Sequence, residues 1–148
     1  VLRHAKSDWP DGVADQDRPL AKRGRRDAPK VGHWLAQHGY QPDLVLCSTA
    51  QRTRQTWDLV AAGLPGAPAV RFDPRAYGAS VQTLLYLARE LPDECRTALL
   101  IGHNPGVSEL AGTGFVTAAI AVLEFDDDWP DFEPGQARRV AFATPAEM

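Results

Sequence analysis

The chain has 148 residues, a formal net charge of −3, 44% hydrophobic and 24% charged residues, which is the size and makeup of one globular domain with a substantial core. A mildly acidic balance argues against a general nucleic-acid binder. No apolar run approaches the roughly 18 residues that span a bilayer, so neither nucleic acid nor membrane is an expected partner. Cys47 and Cys95 make no disulfide framework and no signal-peptide pattern is present, so a reducing, cytoplasmic compartment is the default expectation.

The chain opens on VLRHAKS, where two apolar residues read as a strand that ends in Arg3 and His4. The strand starts abruptly at Val1, and its beginning is expected to be incomplete. After the loop WPDGVADQDRPL, a first helix ends near VGHWLAQHG with Gly39 as its C-cap. Its start is open: Gly24 and Pro29 interrupt the pattern, so it either kinks at Pro29 or begins late with Asp27 as N-cap. DLVLCS at 43–48 reads as a strand, followed by a helix from Ala50 to Ala62 that GLPG stops. Ser80 is a good N-cap for a third helix, VQTLLYLAREL, which Pro92 ends. ALLIGH at 98–103 is again a strand, and HNPGVSELA a short helical stretch. The following GTGFV looks too short to finish that helix and return to a sheet, so a segment around 112–116 is expected to be missing. AIAVLEF at 119–125 and RRVAFAT at 138–144 form an antiparallel hairpin through DDDWPDFEPG.

Strand, helix, strand, helix, helix, strand predicts one three-layer α/β domain over residues 1–148, with a mainly parallel sheet flanked by helices and an antiparallel C-terminal hairpin. The continuous apolar runs LVLC and ALLI suit strands covered on both faces. Ligands of such sheets bind beyond the carboxyl ends of the strands. Three runs here end in cations or imidazoles at that edge: Arg3-His4, Ser48 followed by TAQR with Arg52 in the first helical turn, and Gly102-His103. An arginine at a helix start opposes the dipole unless an anion lies against it, and a guanidinium beside a helix N-terminus is a phosphate site. Singly, Arg3-His4 is a surface pair, Arg52 a solvated helix residue and His103 a turn histidine; together they converge.

The ordered set LRHAKS, DRPLAKRG, STAQRTRQT, YGAS and IGHNPG resembles the histidine phosphatase superfamily, most of all its SixA-type phosphohistidine phosphatase branch. The likeness runs from Val1 to about Pro145. It implies that His4 is the nucleophile, that Arg3, Arg52 and His103 surround the transferred phosphate, and that Arg18 of the RPL segment joins them as its loop folds over the site. Thr49 stands where the family often has proline, which alters the turn and leaves Arg52 in place. The carboxylate acid of the mutase and acid-phosphatase branches has no clear match, and Gly78 sits in that region. Asp15, Asp17 and Asp73 are the nearby candidates, each better suited to capping a turn or pairing with an arginine.

Phosphoryl transfer asks for positioning and charge stabilisation, and a neutral imidazole is a competent nucleophile at pH 7. His4 would attack through one nitrogen while the other donates to a fixed acceptor, most simply a backbone carbonyl. His103 would be protonated when phosphate is bound. The arginines supply the positive charge, so neither metal nor cofactor is expected. CSTAQR is not a cysteine-phosphatase loop, because four residues separate Cys47 from Arg52 and six separate it from Arg54; Cys47 reads as a small buried strand residue. His33 and His38, five apart, do not share a helix face and read as a surface residue and a favourable charge at a helix C-terminus. DDDWPD is a solvated turn, and Arg23, Arg25, Arg26 and Arg54 a basic face that could steer an anion.

The expected function is a metal-independent phosphatase acting through phospho-His4 on phosphohistidine or phosphoprotein, releasing inorganic phosphate. A phosphatase or mutase for small phosphate metabolites would need a lidded pocket and an acid. A non-catalytic phosphate-binding module would be signalled by loss of the nucleophile, which is retained.

Overall fold

The computed structural model describes residues 1–148. Its elements are β1 (Leu2–Arg3), α1 (Lys22–Gln37), β2 (Leu44–Ser48), α2 (Gln51–Ala61), β3 (Ala69–Asp73), α3 (Val81–Arg89), β4 (Ala98–Gly102), α4 (Gly106–Ala111), β5 (Ile120–Glu124) and β6 (Arg138–Ala143). The six strands form one sheet in the order β3-β2-β4-β1-β5-β6. β3, β2, β4 and β1 run parallel, β5 is antiparallel to β1, and β5–β6 is the antiparallel hairpin read from the sequence.

Period-two alternation divides the strand side chains between two cores. Val45, Cys47, Leu99 and Ile101 pack with Val31, Trp34, Trp57 and Val60 of α1 and α2. Leu44, Leu46 and Leu100 pack on the other face with Leu84, Leu85, Leu87, Val107 and Leu110 of α3 and α4. β2 is buried throughout, as its unbroken apolar run requires of a strand covered on both sides.

Two elements differ from the sequence expectation. β3 lies between the second and third helices, giving a strictly alternating strand–helix order up to β4. It is an edge strand with mostly exposed side chains, held by backbone pairing from Leu44–Ala69 to Ser48–Asp73, so it carries no strong apolar run. Of the two starts left open, the late one at Asp27 is not found: helix α1 starts at Lys22 and runs through Asp27 and Pro29. Gly24 makes this start possible, because a Cβ there would lie 2.1 Å from the Lys6 carbonyl oxygen. The helix closes on Gly39, whose φ of +72° suits the left-handed residue after a C-cap. Ser80 caps α3, its hydroxyl accepting from the Thr83 N–H.

The two central parallel strands set the site. Arg3 pairs with Gly102 across β1 and β4, so the next residues, His4 and His103, emerge side by side at the carboxyl edge. Cys47 pairs with Ile101, which brings Ser48 to the same level from β2. Residues 112–119 return the chain from α4 to β5 over this edge, burying Phe115 and pinning the Ala118 N–H to the His4 carbonyl.

Candidate active site

A cavity of about 190 Å³ opens at the carboxyl edge of β1 and β4, lined by Arg3, His4, Lys6, Ser7, Trp9, Arg18, Arg52, His103, Asn104 and Thr117. All five residues expected to meet at a phosphate site line it. His4, Arg52 and His103 are each 7% exposed. A larger cavity, about 480 Å³, lies at the opposite edge of the sheet; mainly apolar side chains line it, and no histidine faces it.

His4 donates from Nδ1 to the carbonyl of Ala5 at 2.7 Å, which leaves Nε2 with the lone pair. The strand continues past the ring: the Ala5 N–H donates to the Thr56 hydroxyl on α2 at 3.0 Å. Burial, first of all, pushes the imidazole pKa down to about 3, with His103, Arg52 and Arg3 adding repulsion and the bond to Ala5 opposing it. His4 is therefore neutral at pH 7. The ring of His103 lies 5.3 Å away, centre to centre, with Nε2 2.7 Å from the Ser48 hydroxyl. Burial and then Arg52 lower its pKa to about 4, so it too is neutral in the empty site.

The arginines are held from different elements. Arg3 donates through Nη1 to the Phe115 carbonyl at 2.9 Å, and Asn104 donates to the same oxygen, so the 112–119 connection forms one wall. Burial lowers the Arg3 pKa. Arg52 projects from the first turn of α2 and donates through Nη1 and Nη2 to the backbone oxygen and carboxylate of Asp15, at 2.8 and 3.1 Å. Arg18 arrives on a loop that folds back: Asp8 donates to the Pro19 carbonyl and Ser7 bridges Leu20. Its guanidinium reaches the Asp8 carbonyl, the Asp15 carboxylate and the Ser7 hydroxyl, and stacks 3.2 Å from the ring centre of Trp9. Three buried polar atoms on the lining residues have no protein partner: Arg3 Nε, Arg52 Nε and His103 Nδ1. A buried unpaired N–H is costly, and a small oxyanion is a species that would satisfy several at once.

Cys47 is buried, and burial pushes its thiol up to about 12, far from a nucleophilic thiolate. Arg54 faces away from the cavity, its Nε on the Thr49 carbonyl and its guanidinium over Phe72. His33 is exposed, and His38 bonds the Trp34 carbonyl at the end of α1. Asp73 caps the turn at Pro74–Ala76 and pairs with Arg75, and Asp15 pairs with arginines, as expected of them. Sequence reasoning missed Ser48, Ser7, Tyr77 and the Phe115 carbonyl. Only Ser48, at the end of an apolar strand, carried a local signal.

Two histidines and three arginines gathered at the carboxyl edge of a parallel sheet define an enzyme that handles phosphate groups. The model of the histidine phosphatase superfamily (branch 1) matches residues 1–99, and the chain belongs to that superfamily. It is 44% identical to an uncharacterised protein of Mycobacterium tuberculosis over 161 aligned positions, covering 97% of this chain and 99% of that one. Among solved structures it is similar to a SixA phosphohistidine phosphatase homologue from Nakamurella multipartitia, with a TM-score of 0.84 and 30% identity over 97% of this chain and 93% of the other. A second is the protein histidine phosphatase SixA complexed with tungstate, at a TM-score of 0.81 and 25% identity over 98% and 95%. Within the superfamily the chain falls in the SixA-type branch, and it is a phosphatase: it takes phosphorylated substrates and releases phosphate.

Proposed function

We propose that the protein is a metal-independent phosphatase that works through a phosphohistidine on His4 and acts on phosphohistidine or another phosphorylated protein side chain. The observation that carries this reading is the state of His4: buried and neutral, Nδ1–H on the Ala5 carbonyl, and Nε2 free in a cavity lined by three arginines. Nε2 attacks phosphorus in line. A new N–P bond forms as the bond to the leaving atom breaks, and the leaving atom keeps the electron pair and takes a proton from solvent. Water then attacks phospho-His4, the N–P pair returns to Nε2, and inorganic phosphate departs. Arg3, Arg52 and Arg18 hold the equatorial oxygens while charge spreads over them. His103 gains a proton as the phosphate dianion enters, because the anion reverses the repulsion that keeps the ring neutral when the site is empty. A tungstate complex of a SixA relative supports an oxyanion site of this kind.

The substrate preference follows from the carboxylates. The Tyr77 hydroxyl first of all, and then Arg18 and Arg52, hold Asp15 well below the usual carboxylate range, so it is ionised and no general acid. The Tyr77 hydroxyl already donates to Asp15. Leaving groups that need protonation in the transition state lose the 10²–10⁴-fold a positioned acid supplies, whereas the imidazole of phosphohistidine leaves readily.

Rapid quench with labelled substrate should trap an acid-labile phosphoenzyme in wild type and none in His4→Ala, which should be folded and inactive. Across phosphate esters of rising leaving-group pKa, kcat/KM should fall steeply, with phosphohistidine, phosphoramidate and p-nitrophenyl phosphate the good substrates. An active His4→Ala variant refutes the intermediate. A flat profile, with sugar phosphates or phosphoserine cleaved well, replaces the substrate assignment with a small-metabolite phosphatase or mutase.

A further inference from the structure

Arg18 and Arg52, both buried, line the same cavity as Arg3. Three cations packed together with no counter-ion repel one another, and the long side chains have no reason to keep one rotamer. One carboxylate touches two of them. Asp15 Oδ1 accepts from Arg18 Nη1 at 2.9 Å and Oδ2 from Arg52 Nη2 at 3.1 Å, and the Asp15 backbone oxygen accepts from Arg52 Nη1 at 2.8 Å. Tyr77, 62 positions along the chain, donates its hydroxyl to the same carboxylate. Asp15 belongs to the short turn Asp15–Asp17, whose backbone also accepts from the Arg18 N–H.

A guanidinium presents two forks of parallel donors, the Nη1–Nη2 edge and the Nε–Nη2 edge. Asp15 occupies the first edge of Arg52. The second is left over, and its Nε is among the buried atoms without a partner. The fork that Asp15 leaves open is thus the one available to a substrate oxyanion. Each nitrogen of Arg18 already has a protein partner, which fixes its guanidinium and leaves one N–H each on Nη1 and Nη2 for an oxyanion, so Arg52 is the arginine whose orientation the Asp15 contact decides.

We infer that Asp15 is a positioning residue for phosphoryl transfer: it fixes the guanidinium of Arg52 so that the Nε–Nη2 fork meets the transferring phosphoryl group, and it couples Arg18 to the same geometry. Resting on the phosphatase reading above, this assigns Asp15 the role of an obligate carboxylate that never exchanges a proton in the reaction. Its burden falls on the transition state. A loosened Arg52 still attracts a phosphate dianion, and removing the Asp15 charge even favours ground-state binding; what is lost is the aligned bidentate contact as the phosphoryl group flattens. The negative charge of Asp15 also raises the pKa of His103, so neutralising it should shift that group's titration to lower pH.

The test compares Asp15→Asn, Asp15→Ala and Asp15→Glu with wild type, with Asp17→Asn as the control from the same turn. Measurements are kcat and KM for p-nitrophenyl phosphate across pH, thermal midpoints, and calorimetric affinities for inorganic phosphate and for vanadate, which takes up the five-coordinate geometry. Asp15→Asn and Asp15→Ala should lower kcat about 10- to 100-fold with KM unchanged or lower, weaken vanadate about tenfold more than phosphate, and move the His103-dependent limb to lower pH. Asp15→Glu, which keeps the charge, should recover part of kcat, and Asp17→Asn should match wild type. Loss of kcat with raised KM, a lower thermal midpoint and an unmoved pH limb would reduce Asp15 to a structural tie and overturn the inference. So would variants within about threefold of wild type. A wild-type protein that binds phosphate and vanadate and hydrolyses nothing would refute the phosphatase reading, while the vanadate-to-phosphate ratio would still decide the role of Asp15.

Discussion

Replacing Arg52 by alanine, and separately Arg54, isolates the contribution of the α2 cation. The two positions are two residues apart on one helix, which rotates their side chains by about 200°. Arg52 lines the cavity with its Nε unpartnered, while Arg54 lies over Phe72 with its Nε on the Thr49 carbonyl. If the open fork of Arg52 bonds the phosphoryl oxygens most strongly in the transition state, its loss costs roughly 3–4 kcal/mol, a few hundredfold in kcat/KM. Arg54→Ala should stay within about threefold, its one effect being weaker steering of an anionic substrate. Stability should not follow activity. Arg52→Ala removes a buried cation near Arg3 and His103, which relieves repulsion, but it surrenders an ion pair to a carboxylate that is 50% exposed, worth roughly 0–1 kcal/mol, and the Nη1 bond to the Asp15 backbone oxygen. These effects oppose one another, so the thermal midpoint should change little. The assay is steady-state turnover of p-nitrophenyl phosphate beside a thermal melt of the same preparation. Equal losses at both positions, or an Arg52→Ala loss that accompanies unfolding, would refute the assignment.

Acid should destabilise the fold earlier than carboxylate titration alone would. His4 and His103, with folded pKa values of about 3 and about 4, stay neutral while their unfolded counterparts protonate near 6.5. Their burial costs nothing above about pH 6.5 and erodes stability as pH falls toward 4, by up to about 2.7 kcal/mol per pH unit for two protons. Urea unfolding at stepped pH should show that slope, halved in His103→Gln; a flat stability down to pH 4 would mean that the rings are not buried neutral. If the arginines supply the charge, as proposed, and with the Cys47 thiol raised to about 12, activity should survive EDTA and iodoacetamide and fall with vanadate or tungstate. Loss in EDTA that a divalent ion restores would expose a metal requirement.

How much of this was legible in the sequence depended on the range of each interaction. Strands β2 and β4 announce themselves because burial on both faces demands an unbroken apolar run, and a run followed by a turn signal locates its own carboxyl end. That was enough to bring Arg3, His4, Arg52 and His103 to one edge, since in a parallel sheet every carboxyl end shares it. Arg18 came only through the likeness of its RPL segment to a family. The neighbours of these residues were out of reach. β3 is held by backbone pairing to β2 and leaves its side chains in water, so composition barely marks it. The start of α1 depends on Gly24 meeting the Lys6 carbonyl, a contact that no helix propensity encodes. Asp15 meets Arg52 across 37 positions and Tyr77 across 62, and the Phe115 carbonyl meets Arg3 across 112. The sequence by itself determined which groups gather at the candidate site, because reactive side chains at strand ends follow from local pattern. Only the tertiary structure decided how they are aimed, because orientation is set by hydrogen bonds between segments that the sheet brings together.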